Sequence, residues 1–306
     1  MSRTPGVLQR ELVRLAPRTL LMLAALTLIW GTNWPLFPLA VREVSVWTFR
    51  ASSGLIAALT LFALARWIRL PLALPRAAWL PVGMSALFYM TLWNVAATQA
   101  ASLIPSGQAA ILGFTMPLWA ALITWAVFGE RLSRHMLVAV LLGAAAVTLL
   151  IRPGFASFAQ APLGFGLGLL SGLGWAVGTL ILKRSALDRQ SILVLTAWQL
   201  LLSTLPTALG AVLIGDGQWF VPSWTTVVVI AYIALVPTCL GNWCWFSIVA
   251  AVPANVAGLV SILVPVVAML SGAVVHDEPL GAVQWLSMLC CASALWLALV
   301  KPARMS

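Results

Sequence analysis

Charge is scarce in this sequence. Lysine, arginine, aspartate and glutamate together make up 8% of the residues, and only 7 residues are acidic. A soluble globular domain carries roughly 25% charged residues, so a surface facing water on all sides is excluded. The acids also stand in places that exclude much chemistry. Glu11, Glu43, Glu130, Asp188, Asp216, Asp277 and Glu278 all fall in tails, in connections or at the ends of apolar runs. With no carboxylate in the middle of such a run, the usual core of a proton relay is missing. Both histidines, His135 and His276, flank apolar runs, and neither a Ser/His/Asp set nor a phosphate loop can be found. The 4 cysteines (Cys239, Cys244, Cys290 and Cys291) lie inside apolar runs, at spacings that suit neither a disulfide framework nor a metal site. They read as small buried hydrophobes. We expect no cofactor, no metal and no enzymatic activity.

Long apolar runs are what the chain does have, at 62% hydrophobic residues. A bilayer core about 30 Å thick needs roughly 20 apolar residues per helical crossing. Ten such windows lie near 19–41, 46–67, 77–100, 104–127, 135–152, 162–183, 191–214, 223–249, 253–275 and 281–300. Their continuity favours helices over the alternating strands of a barrel. The expected fold is therefore an all-α membrane protein with ten transmembrane helices. If the N-terminus is cytoplasmic, ten crossings put both termini inside, and of the 17 lysines and arginines only Arg42, Arg50 and Arg152 fall outside. That bias fits the positive-inside rule. The formal net charge of +10 is thus a topology signal, and nucleic acid is not expected as a partner. The first window is too long for the apolar core of a cleaved signal and lacks a small-x-small site.

Residues 104–132 and 252–280 are one segment written twice, without a gap, at an offset of 148. Pro105, Ala109 and Pro117 match Pro253, Ala257 and Pro265, and Glu130 and Leu132 match Glu278 and Leu280. Leu92 and Asn94 match Leu240 and Asn242 at the same offset, while Trp30 pairs with Trp175 at 145. Each half holds five windows. An odd number means that the second copy inserts upside down, and inverted repeats place a binding site near the midplane at their interface. The organisation expected is a tail at 1–18, a first repeat at 19–152, a linker at 153–161, a second repeat at 162–300 and a tail at 301–306, with 184–190 a cytoplasmic connection.

The Gly-Glu-Arg-Leu run at 129–132, its counterpart His-Asp-Glu-Pro-Leu at 276–280 and the Ile-Trp-Gly-Thr-Asn-Trp run at 29–34 resemble the EamA domain. Two such domains imply a ten-span member of the drug/metabolite transporter superfamily, and the resemblance covers nearly the whole chain. The tryptophan-rich interior is similar to that of the YddG-type exporters of aromatic amino acids. In the second copy Asp277-Glu278 replaces the family's usual Gly-Glu. The four-span multidrug exporters of the superfamily carry an essential acid in their first span; this chain has none. The resemblance implies a bacterial inner-membrane exporter of small metabolites, hydrophobic or aromatic amino acids above all, working by alternating access. Its partners would be a small-molecule substrate and the lipid bilayer. A multidrug or nucleoside carrier stays open, as do a channel or membrane-bound enzyme and the oligomeric state, a monomer included.

Several side chains are candidates for the transport path. Pro117 and Pro265 fall mid-window, where a missing donor bends a helix, either as paired gating kinks or as static ones. Buried amides must be paired or face water, and Asn33, Asn94 and Asn242 are the expected substrate contacts. Asn94 and Asn242 stand out as repeat mates, although interhelical hydrogen bonding alone would also explain them. Of the 16 tryptophans, Trp93, Trp175, Trp198 and Trp243 are expected with Tyr89 to wall a cavity, packing against helices or lipid being the alternative. Tyr89 and Trp93 share a helix face. Arg50, one turn inside its window, could hold a carboxylate, but it is expected rather to snorkel outward or to pair with Glu43. Glu130 and Glu278 are expected to clamp loops by meeting a helix N-terminus or an arginine. The glycines from Gly164 to Gly178 suit close helix contact, and Gly166-x-Gly168 lies in an apolar helix, unlike a dinucleotide fingerprint.

Overall fold

A computed structural model describes residues 17–130, 134–151, 161–185, 190–215, 222–244, 248, 259–278 and 280–299. Most of the N-terminal tail, residues 153–160 of the linker, Asn255 and the C-terminal tail lie outside them. The regular structure of the described residues is all helical, without strands. We number the helices α1 (Pro17–Gly31), α2 (Leu36–Ala40), α3 (Val46–Trp67), α4 (Trp79–Ser85), α5 (Trp93–Leu103), α6 (Ser106–Gly113) and α7 (Met116–Phe128). They continue as α8 (Arg134–Ile151), α9 (Pro162–Lys183), α10 (Ile192–Leu213), α11 (Trp224–Ile233), α12 (Leu259–His276) and α13 (Ala282–Leu299). Two π-helical segments, Ala86–Leu92 and Ala234–Leu240, follow α4 and α11. Among the described residues, 6 continuous helical stretches are long and apolar enough to cross a membrane, and shorter apolar helices accompany them. The outer surface is apolar to match: Val274 is 84% exposed, and Leu21, Val212 and Leu213 are nearly as bare. Trp67 and Trp224 lie exposed at helix ends, as an interfacial aromatic belt requires.

Repeat mates pack on each other with opposite direction. Gly210 of α10 faces Trp47 at the start of α3, and Gly54, further along α3, faces Leu200 and Thr204, earlier in α10. The pair is therefore antiparallel. Helices α8 and α13 also pack together, with the Ser287 hydroxyl donating to the Ala146 carbonyl. Other contacts are exchanged between halves: α9 packs on α5 and α6, while α1 packs on the second π segment and α12. A two-fold exchange of inverted halves demands this reciprocity.

Small residues set the close approaches, because lipid offers no hydrophobic drive between helices and packing must supply the attraction. Gly164, Gly168 and Gly172 of α9 pass Ile104, Leu112 and Thr115, where an added Cβ would lie 2.8, 2.8 and 2.7 Å from their nearest atoms. Gly129 ends α7 in the left-handed region at φ 69°, the usual glycine C-cap. Its repeat mate Asp277 holds φ 53° after α12. Aspartate tolerates that conformation better than most residues, so the Gly-to-Asp departure leaves the turn intact.

The helix-end acids bridge elements. Glu278 accepts from the Ser106 and Gly107 amides, at 2.6 and 3.1 Å, at the N-terminus of α6. It thus clamps the opposite half. Glu130 pairs with Arg184 at 2.7 Å on an exposed surface, a geometry worth about 0–1 kcal/mol. Glu43 accepts from the Ser223 amide at 2.8 Å. Hydrogen bonds from the Thr226 hydroxyl and from Ser223 hold its carboxyl below the usual carboxylate range. The sequence-based pairing of Glu43 with Arg50 is replaced by this link. His276 Nε2 also reaches the Pro35 carbonyl at 2.6 Å. The Glu278, Glu43 and His276 contacts each tie one half to the other.

Candidate central cavity

The cavity forms where the backbone departs from α-helix. Helix α1 stops at Gly31, and a turn over Thr32–Pro35 precedes α2. Pro35 has no N–H to continue the ladder, so Asn33 and Trp34 project from non-helical backbone. In the next half-helix pair, α6 and α7 are separated at Phe114 and Thr115. Pro117 stands at the second position of α7 and cannot donate to the Gly113 carbonyl. The Thr115 hydroxyl donates to the Leu112 carbonyl at 2.6 Å and secures the break. Non-helical backbone at membrane depth is tolerated where it is buried in protein or lines a cavity.

The two π segments are repeat mates at the same offset of 148, and each is followed by its asparagine. Asn94 Nδ2 donates to the Met90 carbonyl at 2.6 Å, and Asn242 Nδ2 to the Thr238 carbonyl at 2.5 Å. A π turn shifts the ladder by one residue and leaves a carbonyl without an amide. In the second segment the backbone bonds skip the Pro237 carbonyl, which accepts from the Trp30 indole at 3.0 Å, and the asparagine side chain adds a donor at the next carbonyl. In the second segment Pro237 forces the shift. The Thr238 hydroxyl donates to the Ile233 carbonyl at 2.8 Å, in place of the missing Pro237 amide. The first segment has no proline. There, Gly174 and Gly178 bring α9 onto the backbone of Phe88 and Tyr89.

These irregular stretches enclose a cavity of about 630 Å³, counting its open part. Asn33, Tyr89, Trp93, Asn94, Trp175 and Asn242 line it together, from four separate stretches of chain. Tyr89 and Trp175 stack in parallel at 5.8 Å, and Trp93 and Phe114 meet Trp175 edge-on at 5.4 and 5.5 Å. Trp198 lies elsewhere: its indole donates to the Leu72 carbonyl at 2.8 Å and packs edge-on against Phe62 and Trp79. Trp243 points outward and is 43% exposed. Neither is a cavity residue: Trp198 meets the first half away from the cavity, and Trp243 faces outward. Pro117 acts beside the cavity through the break it ends, and Pro265 lies within the continuous helix α12; neither lines the cavity. Gln199 joins Ser85 and the Gly178 carbonyl in a buried chain that ties helices together.

A model of the EamA-like transporter family matches residues 17–152 and again residues 162–300. The chain belongs to that family. An "Uncharacterized transporter YvbV" of Bacillus subtilis strain 168 is 27% identical over 268 residues, covering 86% of this chain and 85% of that protein. A "Probable amino-acid metabolite efflux pump" of Escherichia coli K12 is 26% identical over 201 residues, covering 63% of this chain and 67% of that protein. The protein of the same name from Salmonella typhimurium is 31% identical over 191 residues, covering 60% of this chain and 61% of its own. A solved crystal structure superposes with a TM-score of 0.66 at 18% identity, covering 92% of this chain and 96% of that one, which shows a shared fold. This EamA protein is a multi-pass membrane protein built from two repeats.

One lining residue of this EamA protein departs from its favoured expectation above all. Arg50 neither snorkels outward nor meets Glu43; it is buried at 7% exposure and faces the cavity. Its Nε donates to the Thr98 hydroxyl at 2.6 Å, and Thr98 donates in turn to the Asn94 carbonyl at 2.7 Å. The guanidinium carbon sits 4.4 Å from the Phe37 ring centre and 4.5 Å from that of Phe49. Such contacts supply about 0.5–2 kcal/mol each, against several kcal/mol for burying the ion. Phe37, Phe114, Pro237 and Thr238 also line the cavity, with no signal in the sequence that singles them out. The matches of Ala86 and Leu87 to Ala234 and Leu235 at offset 148 could have flagged the π segments.

Proposed function

We propose that this protein is a bacterial inner-membrane exporter of small metabolites, chiefly amino acids with hydrophobic or aromatic side chains. It has ten spans with both termini in the cytoplasm, and repeats at 19–152 and 162–300 that rock about the cavity. The observation that carries this is an aromatic-walled chamber at the junction of two inverted halves, with unpaired polar atoms facing inward. Among those atoms are Asn33 Oδ1 and Trp93 Nε1, both buried without a hydrogen-bond partner. Burial without a partner costs about 1–3 kcal/mol per group, so a polar ligand is the natural complement. Membership in the EamA-like family and the similarity to proteins named as amino-acid metabolite efflux pumps support the same reading.

The aromatic walls suit a ring or alkyl side chain, and the asparagine oxygens suit an ammonium group. The absence of a carboxylate from the apolar windows favours movement down the substrate gradient, without obligatory proton coupling. Reconstituted vesicles loaded with unlabelled L-phenylalanine should accumulate labelled L-phenylalanine by saturable counterflow. Imposing a pH gradient should leave net accumulation unchanged. Uphill uptake driven by the pH gradient alone would sink the uncoupled mechanism, and non-saturable flux with single-channel conductance would replace the carrier by a channel.

In this scheme the Glu278 bridge holds one end of the bundle closed. Glu278→Ala removes both contacts to the α6 N-terminus and should favour opening at that end. A cysteine introduced at Gln108 should then react with a membrane-impermeant maleimide about tenfold faster than in the parent protein, for a closing contact of about 1.4 kcal/mol. Equal labelling rates would show that the bridge does not bear on access.

A further inference from the structure

Arg50 is a buried cation whose counter-charge none of the described residues supplies. Among the described residues the one ion pair joins Glu130 and Arg184, and Arg50 Nη2 has no partner. Two phenyl rings and one hydroxyl hold the group in place at the cavity wall, with Nη2 buried and its donors unused. The same guanidinium also borders a recess of about 300 Å³ lined by Ser53, Ser203 and Thr207. The hydroxyls of all three donate to backbone carbonyls of their own helices, so their oxygens turn only lone pairs to the space beside them. No anion is provided there either.

The remaining polar lining is sorted by type. Asn94 and Asn242 each use Nδ2 on a π-segment carbonyl, which leaves their Oδ1 atoms as acceptors. Asn33 Oδ1 is likewise an acceptor without a partner, while Trp93 Nε1 is a donor without one. Cavity acceptors thus come from three amides, and the full positive charge comes from Arg50 alone.

We propose that Arg50 receives a carboxylate of the transported molecule. The substrates are small monocarboxylates with an apolar or aromatic body, free α-amino acids among them, and amines lacking a carboxylate are refused. An arginine fork can bind a carboxylate in two-point geometry, and the pairing neutralises a charge that the empty cavity leaves bare. Thr98 is a positioning residue: it fixes the plane of the guanidinium through Nε and touches no ligand in this scheme. The proposal rests on the cavity being the transport site.

Binding of L-phenylalanine, 3-phenylpropionate and 2-phenylethylamine to the purified full-length protein, followed by calorimetry, tests it. The parent protein should bind both carboxylates and bind the amine at least about tenfold more weakly, as a charge-assisted hydrogen bond implies. Arg50→Gln should weaken both carboxylates by about 10–100-fold and leave the amine unchanged. Arg50→Lys, which keeps the charge and loses the fork, should fall between the two. If Arg50→Gln fails to fold, Thr98→Val supplies the comparison, with a smaller loss confined to the carboxylates. Equal affinity of the parent protein for amine and acid overturns the proposal, as does an equal loss for all three probes in the variants. Carboxylate binding that depends on Arg50 in a protein that transports none of the probes would support this proposal and defeat the exporter reading.

Discussion

Gly178→Val should destabilise the protein by about 3 kcal/mol, the upper range for forced overpacking. A Cβ at Gly178 would lie 2.5 Å from Tyr89 Cβ, 2.8 Å from the Tyr89 amide nitrogen and 3.1 Å from the Ser85 carbonyl. Two of these neighbours are backbone atoms of the α4–π unit, so no rotamer change relieves the clash. Either α9 moves off the first π segment, or that segment unwinds. Tyr89 stacks on Trp175 in the cavity wall, so transport should fall together with stability. Gly166→Ala, on the same helix, is the reference. A Cβ there meets nothing within 4 Å, and alanine is favoured over glycine in a helix by up to about 1 kcal/mol. Thermal unfolding of the purified variants, monitored by tryptophan fluorescence, should separate them clearly. Equal melting temperatures would mean that α9 and the first π segment do not make the contact described.

The second large effect is expected at the mirrored amides. Asn94→Ala and Asn242→Ala should each lower transport by about tenfold or more while the protein still reaches the membrane, for a lost contact of about 1.4 kcal/mol or more. Each change removes two things at once. It withdraws a side-chain donor from a π-segment carbonyl, a bond worth about 0.5–1.5 kcal/mol, and it removes an acceptor from the cavity. The kinetic split separates the two roles. Loss of the acceptor raises KM for an amino acid and leaves KM for 3-phenylpropionate unchanged, since only the former carries an ammonium group. Loss of the backbone cap lowers stability and affects both substrates alike. If both variants transport L-phenylalanine at the parent rate, the asparagines have no part in the site.

This dual use also explains why the sequence left the asparagines between two roles. A single membrane asparagine commonly serves as a hydrogen-bond link, and periodicity does not report which of its amide atoms is engaged. The structure resolves part of the question: Nδ2 is structural in both, and Oδ1 is what remains for a ligand. The prolines show the opposite case. Pro117 and Pro265 are perfect mates in sequence, yet Pro117 begins a half-helix and Pro265 lies inside a continuous one. A proline removes one donor wherever it stands. Whether the helix breaks depends on what the neighbouring helix supplies at that level, and the Thr115 hydroxyl and the close passage of Gly172 supply it at the first site. Trp198 and Trp243 were chosen for depth along their windows, and depth does not give azimuth around a helix that is apolar on every side.

The sequence by itself determined the solvent, the helical class, the family resemblance and the duplication. Each follows from composition or from local repetition, and a bilayer enforces them by leaving helices as the structure that satisfies such apolar runs. The antiparallel contact of the mates, the two π segments and the burial of Arg50 were decided only by tertiary structure. The sequence places Arg50 one turn inside a window end, where an arginine ordinarily reaches water. It became a cavity residue because Phe37 and Phe49 close over it and Thr98, 48 positions later in the chain, holds its Nε. Those contacts join three stretches of chain that are distant in sequence, and nothing local to any one of them specifies the other two.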